Sequence, residues 1–140
     1  MADWLADAAL APPMAARCAP FHDAAAAGHV ALPRCGACAT TMELDQVACH
    51  LCPASEPVWE EVPLIGQVHA VSVVHRLSPR QILTESPYLL IDVEFESGHR
   101  LVLTTTAPCH QPPSLGLQVR IGFRRLGVTH LPAVELDDAC

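Results

Sequence analysis

Two C-x-x-C pairs constrain the fold of this chain more than any other feature. Cys35/Cys38 and Cys49/Cys52 are separated by ten residues. Each pair occupies a tight turn that can point both sulfurs at one ion, and Gly36 leaves room for the backbone in the first turn. This spacing is typical of a ribbon that binds zinc tetrahedrally through four thiolates. We therefore predict a metal site whose ligands are Cys35, Cys38, Cys49 and Cys52.

Two other chemistries use the same residues. The pairs could form disulfides or a redox C-x-x-C site, which fits poorly with so short an insert and no export signal. A rubredoxin-type iron site uses the same four ligands. Zinc is favoured because three Phe, one Tyr and two Trp are too few to wrap a redox iron in apolar aromatic groups. His50 lies inside the second turn, but four thiolates already complete the shell. Structural zinc is the predicted cofactor.

Composition and charge exclude several classes of protein. The 140 residues are 51% hydrophobic, and 15 acidic against 8 basic side chains give a net charge of -7. A chain this acidic is not a general nucleic-acid binder. All the basic residues are arginines, concentrated in the second half. A compact anionic ligand or an acidic protein edge would therefore be bound by guanidinium groups, and the candidates are Arg76, Arg100, Arg120, Arg124 and Arg125.

The N-terminal sequence predicts a cytoplasmic location. Acidic residues stand where a signal peptide needs positive charge, and no apolar run is long enough to span a bilayer. Cysteines are expected to be reduced in that compartment. Cys18, Cys109 and Cys140 lie outside the two pairs, and we expect them to be free thiols.

Residues 1–31 are predicted to form a helical segment, and residues 32–62 the ribbon. Asp3 can cap a short amphipathic helix that ends before Pro12, and a second helix covers Pro20 to Ala27 with Gly28 at its C-terminus. Helices this short need a surface to lie on, either the rest of this chain or a partner protein. Within the ribbon, Thr40 to Val47 is predicted to form a hairpin.

Residues 63–140 show the period of two that marks half-buried strands. The clearest is Pro87 to Phe95, in which Leu89, Ile91, Val93 and Phe95 share one face. Ser97-Gly98 turns the chain into the next strand. We predict a mainly β chain that ends in a five-stranded barrel of the OB type. The predicted strands are Gly66 to Arg76, Pro87 to Phe95, His99 to Thr105, Gln118 to Arg124 and Thr129 to Leu136.

The sequence offers little support for catalysis by this chain alone. It contains no Gly-x-Ser-x-Gly elbow, no phosphate-binding glycine loop and no His-Glu-x-x-His motif. A metal with a full cysteine shell has no open position for water, which makes it structural. A different class of function is a free-standing OB module that binds single-stranded nucleic acid, with Tyr88, Phe95 and Phe123 as stacking candidates. A stand-alone acyl-CoA carrier or hydrolase is a third possibility.

The order of segments resembles a known family. The segments are F-H-D-A-A-A-A-G-H-V-A-L-P-R-C-G-A-C, C-H-L-C-P, V-W-E-E-V-P-L-I-G-Q-V-H-A-V-S-V-V, P-Y-L-L-I-D-V-E-F-E-S-G-H-R-L and L-G-L-Q-V-R-I-G-F. Over roughly residues 20 to 133 they are similar to small acyl-CoA-associated proteins with an N-terminal helix, a rubredoxin-like zinc ribbon and an OB-fold. The resemblance implies a partner enzyme of the thiolase fold, such as a thiolase, a thiolase-like aldolase or an acyltransferase.

The resemblance also implies which roles belong to this chain and which to the partner enzyme. The metal-ligand role falls on the four cysteines, and no catalytic residue carries over, because the family keeps its reactive groups in the larger partner. We therefore predict a noncatalytic zinc subunit of a thiolase-type complex that acts on 3-oxoacyl-CoA or 3-hydroxyacyl-CoA. The ribbon would be a docking block, the N-terminal helices would lie on the partner, and the arginines would face CoA phosphates or the partner. No membrane contact is expected, and nucleic acid is an unlikely ligand.

Overall fold

The computed structural model describes residues 3–10, 16–53, 56–75, 82–84 and 86–136. These form a mainly β structure, as predicted, with one short α-helix. No helix in these ranges is long and apolar enough to cross a membrane. The helical elements are two 3-10 turns, Ala8–Leu10 and Ala16–Cys18, and α1 (Ala19–Ala26). The strands are β1 (Val30–Cys35), β2 (Pro57–Val62), β3 (Ile65–Val74), β4 (Tyr88–Glu94), β5 (Arg100–Leu103), β6 (Gln118–Leu126) and β7 (Thr129–Glu135).

Strands β3 to β7 form a nearly closed barrel. They make a five-stranded sheet in the order β5-β4-β3-β6-β7, and all neighbours in it are antiparallel. The two end strands approach each other just after β5. There the Val134 amide donates to the Thr104 carbonyl at 2.8 Å and the Thr106 amide donates to the Val134 carbonyl at 3.0 Å. The predicted five-stranded barrel of the OB type is confirmed.

Alternation along β4 builds the core of the barrel. Leu89, Ile91 and Val93 are each 0% exposed and Phe95 is 2% exposed, which confirms the predicted inward face. The β4–β5 hairpin turns at Gly98, whose φ of 91° is in the left-handed region that favours glycine. The local sequence therefore determines both the face of this strand and the position of its turn.

The ribbon is anchored by a two-stranded sheet of β1 and β2. Val30, Leu32 and Val62 from this sheet belong to the same buried cluster as the barrel core. The prediction of a hairpin over Thr40 to Val47 was wrong. In that stretch Thr41 makes an isolated bridge to Arg34, and the strands that pair instead flank the two C-x-x-C turns. Four converging cysteines bring those outer flanks together, whereas the segment between them has no strand to pair with along its length.

The N-terminal segment differs from its prediction. Asp3 accepts hydrogen bonds from the amides of Leu5 and Ala6 at 3.2 and 2.9 Å, as a capping residue does, but within the described residues 3–10 the helical structure is limited to the 3-10 turn Ala8–Leu10. Instead, Ala6 makes a β-bridge to Ile82. The second helix is confirmed as α1, with proline in its first turn. Pro12 lies outside the described residues.

The described N-terminal residues pack on the chain's own barrel. Leu5 and Ala6 are buried against Leu126 of β6, and Phe21 of α1 is part of the main core. The Trp4 indole N–H donates to the Thr105 carbonyl at 2.9 Å. Of the two surfaces predicted for these elements, the chain's own barrel is one that they contact, because it offers the apolar surface that they need. Contact with a partner stays a prediction.

Candidate metal centre

The four predicted ligands meet at one point. The sulfurs of Cys35, Cys38, Cys49 and Cys52 all lie within 4.8 Å of one another. The Cys35–Cys52 and Cys38–Cys49 Sγ distances are both 3.5 Å. A tetrahedron with zinc–sulfur bonds of about 2.3 Å has edges of roughly 3.8 Å, whereas a disulfide bond is about 2.05 Å long. The cluster therefore has the geometry of a tetrahedral thiolate site and contains no disulfide.

Backbone hydrogen bonds shape the first C-x-x-C turn. The Cys35 amide donates to the Thr40 carbonyl at 2.8 Å, and the Ala39 amide donates to the Cys35 carbonyl at 3.0 Å. Ala39 has a positive φ of 62°, which closes the turn. A Cβ atom at Gly36 would lie 3.0 Å from the Glu56 carbonyl oxygen and 3.2 Å from the Val58 side chain. Glycine is favoured there because β2 and the residue before it approach the turn closely.

Hydrogen bonds also favour the thiolate form of two ligands. The Thr40 hydroxyl, its backbone amide and then Cys49 lower the pKa of Cys38 from its usual value to about 6. The backbone N–H groups of Cys38 and Ala37 lower the pKa of Cys35. Because the thiolate is the form that binds metals, the turns already favour the ionised sulfurs that a cation binds.

The donor set fits zinc. Cys35, Cys49 and Met42 are buried together in a small cluster, while Cys38 is exposed. His50 is exposed next to the site. Across the described ranges, no second group of three or more His, Cys, Asp or Glu residues is close enough to hold a metal ion. Four sulfurs in a tetrahedron are a set that zinc or iron accepts and that magnesium and calcium do not.

A joint of directional hydrogen bonds connects the metal ribbon to the barrel. His99, 4% exposed, places Nε2 at 2.7 Å from the Pro33 carbonyl and Nδ1 at 2.7 Å from the Ser97 hydroxyl. Since a carbonyl can only accept, Nε2 carries the proton and donates. Arg34 donates to the Ser97 carbonyl at 2.9 Å and to the Ala39 carbonyl, next to Cys38, at 2.7 Å. The residue that precedes the first ligand thus contacts both the metal turn and the barrel.

The predicted arginine patch is distributed over separate ion pairs. Arg124 donates to the Asp3 carboxylate at 2.6 Å in a largely buried pair. Arg100 pairs with Asp92, and Arg120 lies 3.9 Å from the Glu135 carboxylate. Arg125 donates to the Gly127 carbonyl at 2.8 Å. Arg76 lies outside the described residues. The guanidinium groups that we describe are therefore directed at the chain's own acidic residues and carbonyls, so a role in binding CoA or a partner remains a prediction.

The stacking candidates for nucleic acid are placed unfavourably. Phe95 is 2% exposed in the barrel core, and Phe123 packs against the same core. Tyr88 packs beside Leu126. The Phe95 ring is turned into the protein and cannot stack on bases, while Phe123 and Tyr88 are half-buried against the barrel.

The remaining cysteines behave differently from one another. Cys18 is a free thiol whose Sγ lies 3.2 Å from the Leu44 carbonyl oxygen. The prediction that Cys109 is a free thiol was wrong, because Cys109 is disulfide-bonded. Sequence spacing could not show this, since Cys109 is in no C-x-x-C pair. Cys140 lies outside the described residues.

Comparison with known proteins agrees with this architecture. No family model matches the chain. A DUF35 domain-containing scaffold protein of Methanocaldococcus jannaschii is 30% identical over 95 residues, which are 66% of each protein. The structure is also similar to a chain of the Ltp2-ChsH2(DUF35) aldolase, with a TM-score of 0.75 and 25% identity over 89% of this chain and 97% of that one. The chain belongs to the DUF35 family.

A further DUF35 protein, of unknown function and from Sulfolobus solfataricus, shares the fold. Its TM-score is 0.56 at 10% identity, over 85% of this chain and 84% of that one. This DUF35 chain thus spans about two thirds of its curated relative by sequence and nearly all of the aldolase chain by structure.

Proposed function

We propose that this DUF35 chain is the noncatalytic subunit of a complex with a thiolase-fold enzyme. That complex makes or cleaves a carbon–carbon bond in a 3-oxoacyl-CoA or 3-hydroxyacyl-CoA. The observation that carries the proposal is the likeness to nearly the whole of a chain in the Ltp2-ChsH2(DUF35) aldolase, since aldolases act on carbon–carbon bonds. The description of the archaeal relative as a scaffold protein supports a role in assembly.

The metal in this proposal is zinc, held by Cys35, Cys38, Cys49 and Cys52. Four protein ligands leave no position for water or substrate, so the zinc would stabilise the fold and take no part in the reaction. Its contribution is mechanical, because the two C-x-x-C turns have little apolar core of their own.

The placement of reactive groups supports catalysis in the partner. A nucleophile needs a base within hydrogen-bond reach. Cys109 and His110 are adjacent, but Cys109 is disulfide-bonded and His110 is exposed. The buried His99 is engaged by Ser97 and Pro33 within the joint. In the described part of the chain, none of these side chains has the arrangement of a catalytic pair.

The test is to produce this chain with and without a thiolase-like protein encoded next to it. Size-exclusion chromatography with mass and metal analysis should show one complex that contains about one zinc per DUF35 chain. Carbon–carbon bond cleavage of an acyl-CoA should appear in the pair and be absent from either protein alone. A well-folded zinc-loaded chain that elutes alone beside that protein would contradict the proposal.

A further inference from the structure

The two end strands of the barrel sheet, β5 and β7, meet along a very short stretch. Their contact consists of the hydrogen bonds that Val134 makes to Thr104 and Thr106. Elsewhere β5 pairs with β4 and β7 pairs with β6. The barrel therefore has a gap between β5 and β7 on the N-terminal side of this contact in both strands.

A proline limits how far the two strands can pair there. Continued toward the N-termini, a parallel ladder would have the Thr104 amide donate to the Pro132 carbonyl and then the amide of residue 132 donate to the Val102 carbonyl. Residue 132 is Pro132, which has no N–H for that second bond. On β5, the backbone N–H and C=O groups of Leu101 and Leu103 point toward β4, in the register set by the Phe95–His99 hydrogen bond. The Val102 amide and carbonyl therefore point away from β4, toward the gap.

An apolar cavity of about 420 Å³ lies along this gap. Its wall includes the four consecutive residues 101–104 on one side and Leu131 and Pro132 on the other. Successive side chains of a strand point to opposite faces, so a cavity that touches four in a row lies beside the strand's edge. Leu90 and Val102, 37% and 64% exposed, also line it. An engineered cavity of about 150 Å³ accepts benzene, so this one has room for two or three apolar side chains.

Acidic groups surround the start of β5. Arg100 forms an ion pair with Asp92, and the carboxylates of Glu94 and Glu43 also act on its charge. Glu94 is the cross-strand partner of Arg100, and Glu43 lines a small cavity together with it. The Glu94 carboxylate also lies 3.5 Å from His69 Nδ1. Three carboxylates and one guanidinium group thus form an acidic rim at this end of the edge strand. A strand that entered here would be favoured by a basic side chain at the matching end.

We propose that the catalytic partner inserts an extended segment into the gap between β5 and β7. This proposal rests on the proposed function and names one surface, on the barrel, through which the two chains assemble. The segment adds a strand to the free edge of β5 by pairing with Val102, and its alternate apolar side chains fill the cavity. A lysine or arginine of the segment lies near the carboxylates around Arg100. Main-chain pairing supplies affinity, while the cavity and the acidic rim supply specificity.

The experiment compares three variants for binding to the thiolase-like protein encoded next to this chain. Val102→Pro removes the outward N–H and leaves the bonds of Leu101 and Leu103 to β4 in place. Val102→Asp puts a charge at the cavity rim and replaces the proline variant in the binding measurement if the proline variant does not fold. Val128→Asp is the matched control, because Val128 is an exposed valine, at 85%, in the turn between β6 and β7 of the same barrel and does not line the cavity. Binding is measured by titration calorimetry, and amide hydrogen exchange at Val102 is measured in the free and bound protein.

We expect both Val102 variants to weaken binding at least tenfold and Val128→Asp to leave it within twofold. The Val102 amide should become protected in the complex. Wild-type binding that Val102→Pro and Val102→Asp leave unchanged would overturn this inference and leave the subunit role intact. Absence of any wild-type binding would overturn both. The alternative occupant of the cavity is a small acyl ligand. Octanoyl-CoA tests this alternative, with free CoA as the control. If octanoyl-CoA binds the isolated chain and blocks the cavity while the partner leaves Val102 unprotected, the cavity is a small-molecule site and the inference is wrong.

Discussion

The metal end of the ribbon and the barrel are held together in different ways. The barrel has a continuous apolar core in which Leu89, Ile91 and Val93 are fully buried. Around the metal, the buried cluster consists of Cys35, Cys49 and Met42. Hydrophobic burial stabilises the first region, whereas coordination must stabilise the second, because three residues cannot offset the conformational entropy of ordering two turns.

The boundary between the region stabilised by apolar burial and the region stabilised by metal coordination lies inside the ribbon. Val30, Leu32 and Val62 of the β1–β2 sheet pack into the barrel core, so the base of the ribbon is part of the barrel's cooperative unit. The turns that carry the sulfurs are farther out. Loss of metal should therefore loosen the turns and leave the base and barrel folded.

Replacing Cys49 by serine gives the largest effect that this comparison predicts. Bound zinc should fall from about one per chain to less than about a tenth, because binding free energy is folding free energy in a small metal site. Amides of residues 36–53 should lose exchange protection, while those of β3, β4 and β6 keep theirs. Metal analysis and hydrogen exchange measure this, and Cys18→Ser is the control for loss of a thiol outside the site. Partner binding should also weaken, because the ribbon is predicted to dock on the partner in addition to the gap between β5 and β7; a metal-free variant that binds fully would remove the docking role of the ribbon.

Replacing Ile91 by alanine tests the other region. Removing a fully buried branched side chain costs about 3 to 4 kcal/mol of unfolding free energy. Urea denaturation followed by circular dichroism measures that loss, and zinc content in the folded fraction should be unchanged. Leu90→Ala, one residue away and 37% exposed, should cost about 1 kcal/mol or less. Equal losses for the two variants would mean that the barrel core does not dominate its stability.

The parts of this architecture that could be predicted are those encoded locally. The C-x-x-C spacing identified the four residues of the cluster, and the alternation in β4 identified its buried face. Gly98 marked the hairpin turn. Each signal lies within a few residues of the structure that it specifies.

The parts that could not be predicted depend on distant residues. The contact between His99 and Pro33 spans 66 positions, and that between Arg124 and Asp3 spans 121. Counting arginines therefore suggested a patch for an outside anion, while the fold provides Arg100, Arg120, Arg124 and Arg125 with internal partners. The hairpin expected over Thr40 to Val47 failed for the same reason, since pairing is decided by which flanks the cysteines bring together.

Replacing His99 by alanine tests whether the two regions are coupled. The Ser97 hydroxyl and the Pro33 carbonyl would each lose a buried partner, at a cost of about 2 kcal/mol. Zinc should also exchange faster, because β1, which carries Cys35, would be held less firmly. Urea denaturation and transfer of zinc to a chelator measure the two effects, and exposed His110→Ala should change stability by no more than about 0.5 kcal/mol. Loss of stability with unaltered zinc exchange would show that the joint supports the barrel alone.

Replacing Glu60 by glutamine should give the smallest effect. The Glu60 carboxylate accepts from Arg34 Nε at 2.9 Å, with the two side chains 44% and 27% exposed. A pair this accessible contributes about 0.5 kcal/mol, which salt should screen. Arg34 also keeps its bonds to the Ala39 and Ser97 carbonyls, so its position should survive the change. Urea denaturation in low salt and in about 1 M salt measures the loss and its screening, with Glu56→Gln as the control, since no ion pair involves Glu56 in the described residues. A loss above about 2 kcal/mol that persists in high salt would show that this charge, and not the set of directional bonds to carbonyls, holds the ribbon to the barrel.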